Sequence, residues 1–242
     1  MLYYLQSFFK GVLIMIEKEK QVLVIFPHPD DEAFGVSGTI ASYINQGTPL
    51  TYACLTLGEM GRNLGKPQFA NRETLPLIRK EELKLAAKAM GIEDLRMMGF
   101  RDKTLEFEDD EKMTQLVRDL IDELHPSLII TFYPGYAVHP DHEATARAVI
   151  RAVREIGPAE RPKLHCLAFA NNTFEELGAP DVINNIESVK EQKLDAMRAH
   201  ISQTARILEM IEEGMKVNDP EALKWVTKES FYSYKWEIDQ VK

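Results

Sequence analysis

The chain is poor in cysteine, has fewer positive than negative charges and contains no long apolar run; each shortage excludes a class of protein. Its two cysteines, Cys54 and Cys166, form no CxxC pair, which excludes a disulfide framework or a sulfur-rich metal site. We therefore expect two buried, reduced thiols in a cytoplasmic protein. No stretch approaches the ~18 uninterrupted apolar residues of a membrane span, and the N-terminus lacks the basic start of a signal peptide.

The net negative charge of the chain limits the kinds of partner that it can bind. With a net charge of −9 and a pI near 5.3, we expect no binding to nucleic acid or to an anionic membrane, because both require a basic face. A small anionic substrate is compatible with this charge, and so is a homo-oligomer. The 242 residues suffice for one large domain, which we assign to 20–242, with residues 1–19 as an extension without function.

Short β-branched runs alternate with longer amphipathic segments along the chain. We predict strands at 21–27, 49–57, 94–98, 127–132 and 163–170, and helices at 33–46, 75–90, 111–124, 141–155 and 188–214. Strands that alternate with helices of this length form right-handed βαβ units. The predicted fold class is therefore α/β, with a mostly parallel sheet, helices on both faces and a helical C-terminal elaboration ending in an aromatic tail.

Two clusters of histidine and aspartate follow predicted strands. Pro27-His28-Pro29-Asp30-Asp31-Glu32 comes after the first strand, and His139-Pro140-Asp141-His142 comes after the fourth. Open α/β sheets bind ligands beyond the carboxyl ends of their strands, so both clusters should meet at one sheet edge. His28, Asp31 and His142 would then offer two imidazoles and a carboxylate to one metal ion, a set typical of catalytic zinc and also suited to Fe(II).

The other polar residues of the clusters indicate hydrolysis. Asp30, adjacent to a ligand but not needed on the metal, is placed to take the proton of an attacking water. His139 lies three residues before His142 and can stabilise an oxyanion or protonate a leaving amine. Asp141 can orient His139 and favour its imidazolium form. We expect His200 to pack in the core or to stand behind the site.

Further motifs give the chain a family resemblance. The first cluster with Gly38-Thr39-Ile40-Ala41 behind it, Thr56-Leu57-Gly58-Glu59-Met60-Gly61, Arg79-Lys80-Glu81-Glu82-Leu83 and the second cluster resemble the LmbE/PIG-L family of zinc-dependent N-deacetylases. Phe69-Ala70-Asn71-Arg72-Glu73-Thr74, the segment from Gly99 to Phe107 and the tail Tyr234-Lys235-Trp236-Glu237 resemble its bacillithiol-biosynthesis branch in particular. The resemblance runs from about residue 20 to residue 236.

The family resemblance implies a Rossmann-like fold and one zinc ion per chain, held by the three ligands proposed above, with the same base and acid. The branch implies N-acetylglucosaminyl-malate as substrate, cleaved to glucosaminyl-malate and acetate. It also implies that Arg79 reaches the sugar side of the pocket and that Asp102 contacts sugar hydroxyls. Arg62, in the glycine-rich loop after the second strand, could pair with a malate carboxylate, since guanidinium binds carboxylate bidentately.

Several alternatives stay open at this point. The same chemistry could serve an amidase of thiol S-conjugates or a deacetylase of another N-acetylated sugar, such as an N-acetylchitooligosaccharide. From a different class, the chain could be a catalytically silent metal-binding module. Pocket loops decide between such substrates, and loop conformations cannot be read from one sequence.

Overall fold

A sheet of seven strands forms the centre of the protein, in a computed structural model that describes residues 16–62, 65–239 and 241. The strands are β1 (Val22–Phe26), β2 (Leu50–Cys54), β3 (Asp94–Met97), β4 (Leu128–Phe132), β5 (Lys163–Leu167), β6 (Val182–Asn185) and β7 (Lys228–Ser233). Their order is β3-β2-β1-β4-β5-β7-β6. The first five are mutually parallel, whereas β7 is antiparallel to both of its neighbours.

Helices cover both faces of this sheet. They are α1 (Asp31–Gly35), α2 (Ser37–Asn45), α3 (Leu75–Met90), α4 (Asp110–Leu124), α5 (Pro140–Arg154), α6 (Thr173–Leu177), α7 (Lys190–Ala199), α8 (Ile201–Lys216) and α9 (Pro220–Thr227). The α2, α3 and α7 helices pack on one face, and α4 and α5 pack on the other. This arrangement confirms the predicted α/β class and the helical C-terminal elaboration.

The central strand β1 shows why the sheet is covered twice. Val22, Val24 and Phe26 point into one core, while Leu23 and Ile25 point into the other. All five side chains are fully buried, as expected of a parallel strand between two helical layers. Short β-branched and aromatic runs of this kind have no polar face to offer water, so they fold only inside such a sandwich.

The C-terminal third differs from the prediction. The sequence pattern did not indicate β6 or β7, which form an antiparallel edge of the sheet. The predicted aromatic tail supplies part of β7, where Phe231 is fully buried, whereas Trp225 is 40% exposed. The predicted helix 188–214 is interrupted at His200, which separates α7 from α8.

The predicted helix 33–46 is also two helices, because Val36 leaves the helical conformation between α1 and α2. Both helices approach the sheet closely. A Cβ at Gly35 would lie 2.4 Å from Cδ1 of Leu167, and one at Gly38 would lie 2.4 Å from Cδ1 of Ile186. Glycine at these two positions therefore allows close packing.

Three smaller findings complete the fold. Cys54 and Cys166 are buried free thiols, as predicted. Among the described residues, none of the helices has the length and apolarity needed to cross a membrane. Of the N-terminal segment 1–19, the first fifteen residues lie outside the described residues, while Ile16 and Glu19 are buried, with Glu19 accepting a hydrogen bond from Ser127 at 2.7 Å.

Candidate metal centre and active site

The two histidine clusters meet between β1 and β4, where the strand order of the sheet reverses. β1 and β4 are parallel neighbours, with Val22 paired to Leu128, and the chain leaves them towards opposite sides of the sheet. Such a switch point opens a crevice beyond the strand ends. His28 follows β1 directly, and His142 follows β4 in the first turn of α5. The topological convergence predicted from sequence is therefore present.

The three predicted metal ligands face one another. His28 Nδ1 lies 3.2 Å from His142 Nε2 and 3.5 Å from Asp31 Oδ2, and His142 Nε2 lies 3.3 Å from Asp31 Oδ1. Atoms that sit about 2.0–2.1 Å from a zinc ion at tetrahedral angles are separated by about 3.3–3.4 Å. The observed separations therefore fit a single metal ion with room for one further ligand.

The surroundings of both histidines leave these nitrogens free for a metal. His28 Nε2 lies 3.1 Å from Asp102 Oδ1 and 3.2 Å from Asp141 Oδ2, so Nε2 donates to these carboxylates and Nδ1 is the nitrogen that could bind a metal ion. His142 Nδ1 lies 3.2 Å from the carbonyl oxygen of Ala137, which leaves Nε2 free in the same way. Carboxylates and carbonyls commonly fix metal-binding imidazoles in this manner.

The partners of His28 and His142 are themselves held in place. Asp141 accepts hydrogen bonds from the backbone N–H of Lys103 at 2.7 Å and of Leu105 at 3.2 Å. Asp102 accepts one from the backbone N–H of Met60 at 2.7 Å. The ring of Phe132, at the end of β4, stacks on His142 with centroids 4.1 Å apart and an interplanar angle of 10°. These contacts hold the predicted ligands His28 and His142 in place from three separate loops.

The described residues include two other groupings of metal-binding side chains, His28 with His139 and His142, and His28 with Asp102 and Asp141. Neither suits a metal as well as the predicted triad. His139 Nδ1 already accepts a hydrogen bond from the backbone N–H of Asp141 at 3.2 Å. Both carboxylates of the second grouping are engaged by backbone N–H groups and serve better as partners of His28.

The electrostatics of the cluster favour a bound cation. Burial alone would lower the pKa of His28, but its carboxylate neighbours outweigh burial and raise that pKa well above its usual value. Burial opposes ionisation of Asp31, yet His142 and His28 hold the pKa of that carboxyl well below its usual range. A field that favours positive charge on His28 also stabilises a metal cation at the same point.

Asp30 occupies an unusual backbone conformation beside the ligands. Its φ of 114° and ψ of −25° lie outside the regions that L-residues normally adopt, a strain commonly found at functional sites. Burial raises the pKa of Asp30 to about 6, although the charge of Arg79 opposes the rise. A carboxylate with a pKa near neutrality suits a general base.

His139 lies at the edge of the cluster. It caps the N-terminus of α5, and its ring stands perpendicular to that of His28 with centroids 4.9 Å apart. Burial and the nearby rings of His28 and His142 lower the pKa of His139. The charge of Asp141 still favours the imidazolium form, as expected, but burial and the two histidines outweigh it; the Asp141 carboxylate lies against His28, and its backbone N–H contacts His139.

The three residues expected to contact substrate are placed differently from one another. Arg79 and Asp102 are each 3% exposed and pair with site residues instead of facing an open pocket. Arg79 donates to Asp30 Oδ2 at 3.1 Å and to the carbonyl oxygens of Gly58 and Pro29. Arg62 is exposed, and its carbonyl oxygen accepts a hydrogen bond from Gln203 Nε2 at 2.8 Å.

Sequence reasoning assigned no role to Glu32, although it belongs to the first cluster. Glu32 is fully buried, and its Oε2 accepts hydrogen bonds from the backbone N–H of Asp30 at 3.1 Å and from the Tyr52 hydroxyl at 2.9 Å. Its Oε1 lies 2.5 Å from His200 Nε2. The prediction that His200 stands behind the site is thus compatible with its place. The only sign of this role in the sequence is the position of Glu32 directly after Asp30 and Asp31.

Comparisons with known proteins agree with this geometry. The family model described as PIG-L, GlcNAc-PI de-N-acetylase, matches residues 23–153. A Bacillus cereus protein described as probable N-acetyl-α-D-glucosaminyl L-malate deacetylase 2 is 55% identical over 219 residues, covering 90% of this chain and 100% of its own length.

Two solved structures share the fold. The N,N'-diacetylchitobiose deacetylase of Pyrococcus horikoshii has a TM-score of 0.67 at 24% identity, covering 89% of this chain and 84% of its own. The 4-carboxy-2-hydroxymuconate hydratase of Pseudomonas putida has a TM-score of 0.70 at 17% identity, covering 91% and 98%. Because the second catalyses another reaction, the likeness of fold alone does not assign an activity. The family match and the full-length relative do settle the classification: this chain belongs to the PIG-L family of de-N-acetylases.

Proposed function

We propose that this protein is a zinc-dependent N-deacetylase that hydrolyses the acetamide of N-acetylglucosaminyl-malate, releasing glucosaminyl-malate and acetate for bacillithiol biosynthesis. The observation that carries the proposal is the 55% identity, over the whole length of the relative, with a protein described as a probable deacetylase of that compound. The site supports it, because the proposed ligands His28, Asp31 and His142 and the partly buried Asp30 lie together at the switch point of the sheet.

The residues divide the reaction between them. A divalent metal ion held by His28, Asp31 and His142 would polarise the amide carbonyl and lower the pKa of a water molecule. Asp30 takes the proton of the attacking water, for which its pKa of about 6 is suitable. His139, whose ring lies 4.9 Å from that of His28, stabilises the developing oxyanion or passes a proton to the leaving amine. Attack by the water oxygen turns the planar amide carbon into a tetrahedral centre. Cleavage of the C–N bond then releases acetate and the free amine.

Two substrate contacts are reassigned in this proposal. Arg79 and Asp102 act through Asp30 and His28, with which they form close contacts, and position those side chains. Arg62 remains the residue that we propose for a malate carboxylate, because its side chain is exposed in the loop after β2. We also place the protein in the cytoplasm, since both of its cysteines are buried free thiols.

The identity of the metal is part of the proposal. A donor set of two imidazoles and a carboxylate suits both zinc and Fe(II). Metal analysis of protein purified without added metal, with and without protection from oxygen, distinguishes the two ions. We expect one zinc per chain, and the finding of iron alone in active protein would contradict the zinc assignment.

A substrate panel tests the activity itself. Acetate release is measured with N-acetylglucosaminyl-malate, with N,N'-diacetylchitobiose and with an S-conjugated thiol amide, each at matched concentrations. We expect the first to have the highest kcat/KM. Faster cleavage of either other amide would replace the malate conjugate as substrate, and a metal-loaded protein that cleaves none of the three would support the silent metal-binding module.

A further inference from the structure

One exposed aromatic ring stands at the metal centre without a role so far. Phe169 is 52% exposed, whereas Phe132, whose ring it contacts, is buried. Its centroid lies 6.0 Å from that of the proposed ligand His142 and 5.8 Å from that of Phe132. The ring is perpendicular to both, at 84° and 82°. Phe169 therefore borders the site, and half of its surface is exposed.

The backbone holds this ring in a fixed position. The predicted strand 163–170 ends at Leu167 in the structure, and the following residues turn towards the segment that leads to His139. There the backbone N–H groups of Phe169 and Ala170 both donate to the carbonyl oxygen of Tyr136, at 3.0 Å each. A ring on an anchored backbone costs little entropy to order when a ligand binds, which is the usual requirement for a recognition residue.

The chemistry of an exposed phenylalanine limits what it can recognise. It offers no hydrogen bond and no charge, only an apolar face with a weak negative potential. A pyranose ring complements such a face, because its C–H groups lie together on one side while its hydroxyl groups point outwards. In an N-acetylated aminosugar, the ring is bonded directly to the amide nitrogen. A substrate whose amide lies among the metal ligands therefore brings its sugar ring next to His142, where Phe169 stands.

We propose that Phe169 is a substrate-binding residue that stacks against the pyranose ring of the N-acetylated sugar and selects sugar amides over acyclic amides. This inference rests on the proposed function for the choice of ligand class. It does not depend on the malate group, since an uncharged ring face recognises the sugar and not the anionic substituent. The residue is thus a second determinant of specificity, separate from Arg62.

Equilibrium binding tests the inference apart from catalysis. In zinc-loaded protein carrying Asp30→Asn, in which we expect turnover to be about 10²–10⁴-fold slower, calorimetry measures the Kd of methyl 2-acetamido-2-deoxy-α-D-glucoside and of the acyclic amide N-acetylethanolamine. We expect Phe169→Ala to weaken the glycoside about tenfold and the acyclic amide less than about twofold, whereas Phe169→Trp stays within about threefold for both. Phe174→Ala, which removes another exposed ring, is the matched control and should change neither Kd.

The contradicting outcomes are distinct. Unchanged glycoside affinity in Phe169→Ala, or an equal loss for both ligands, would overturn the inference, the second because it indicates a distorted site. So would the absence of measurable glycoside affinity in the Asp30→Asn parent with Phe169 intact. Failure of the proposed function shows separately, as absent acetate release from N-acetylglucosaminyl-malate by the wild type. Size-exclusion chromatography of Phe169→Ala completes the test, since an altered oligomeric state would show that a second copy covers the ring.

Discussion

His200 and Glu32 form a fully buried pair in which Nε2 of the histidine lies 2.5 Å from Oε1 of the carboxylate. The residues are 168 positions apart and connect the break between α7 and α8 to the first turn after β1. Glu32 in turn accepts the backbone N–H of Asp30, at the strained residue that we propose as the base. This pair therefore joins the C-terminal helices to the catalytic turn.

Removal of His200 should cost substantial stability. His200→Ala leaves the Glu32 carboxylate buried without its main partner, and breaking such a pair costs about 3–5 kcal/mol. We expect the free energy of unfolding, measured by urea denaturation, to fall by about 3 kcal/mol. His200→Gln retains a donor and should lose less. A His200→Ala protein within about 0.5 kcal/mol of the wild type would show that the pair contributes nothing net.

The same pair predicts a pH dependence of stability. Burial would lower the pKa of His200, but the negative charges of Glu32, Asp30 and Glu82 outweigh it and raise that pKa above its usual value. A raised folded-state pKa stabilises the fold fully below the unfolded value of about 6.5, and this contribution is lost as the pH rises through the folded value. The stability difference between wild type and His200→Gln should therefore shrink above about pH 6.5. A difference that grows with pH would contradict the assignment.

The sequence predicted the fold where local patterns decide it. The buried run of β1 and the periodic apolar residues of α3 specify their elements through burial on one or two faces. β6 escaped prediction because its side chains are only partly buried and its pairing with β7 joins segments about fifty residues apart. An edge strand of this kind depends on its tertiary neighbour more than on its own residues.

The site was predictable to the same extent. His28, Asp31 and His142 follow from residue type and strand ends, because the topology of parallel sheets brings those ends together. The partners that orient them do not follow, because contacts such as those of Asp102 and Asp141 with His28 connect loops whose path no local pattern specifies. Arg79 illustrates the limit: its motif indicated the site, but its pairing with Asp30 appears only in three dimensions.

Asp30→Asn tests the assignment of the base. The amide cannot accept a proton from water, so we expect kcat with N-acetylglucosaminyl-malate to fall about 10²–10⁴-fold. The zinc content should not change, because Asp30 is not among the three ligands. Asp122→Asn, on the exposed side of α4, is the matched control and should retain wild-type kcat. Full activity in the Asp30 variant would require another base.

Gly58→Ala tests the position of Arg79. Gly58 has a φ of +62°, and a Cβ there would lie 1.8 Å from Nη1 of Arg79, so the arginine must move away from Asp30. We expect a loss of about 1–3 kcal/mol in stability from overpacking and backbone strain, together with a lower kcat. Gly157→Ala meets no atom within 4 Å and should leave both quantities unchanged. If Gly58→Ala and Gly157→Ala had the same stability and kcat, the close contact between Gly58 and Arg79 would not contribute to activity.

Metal linkage tests the ligand triad through stability as well as activity. An ion that binds only the folded chain stabilises it by RT ln(1 + [L]/Kd), about 2.7 kcal/mol when free zinc is 100 times Kd. If His142→Ala weakens binding about 100-fold, the same zinc concentration stabilises that variant by only about 0.4 kcal/mol. His125→Asn replaces an exposed histidine outside the site, at a left-handed position that asparagine tolerates, and should respond like the wild type. Unfolding curves with and without zinc measure this stabilisation for all three proteins. Because the three proposed ligands lie 3.2–3.5 Å from one another, equal stabilisation of His142→Ala and wild type would place the ion on other residues.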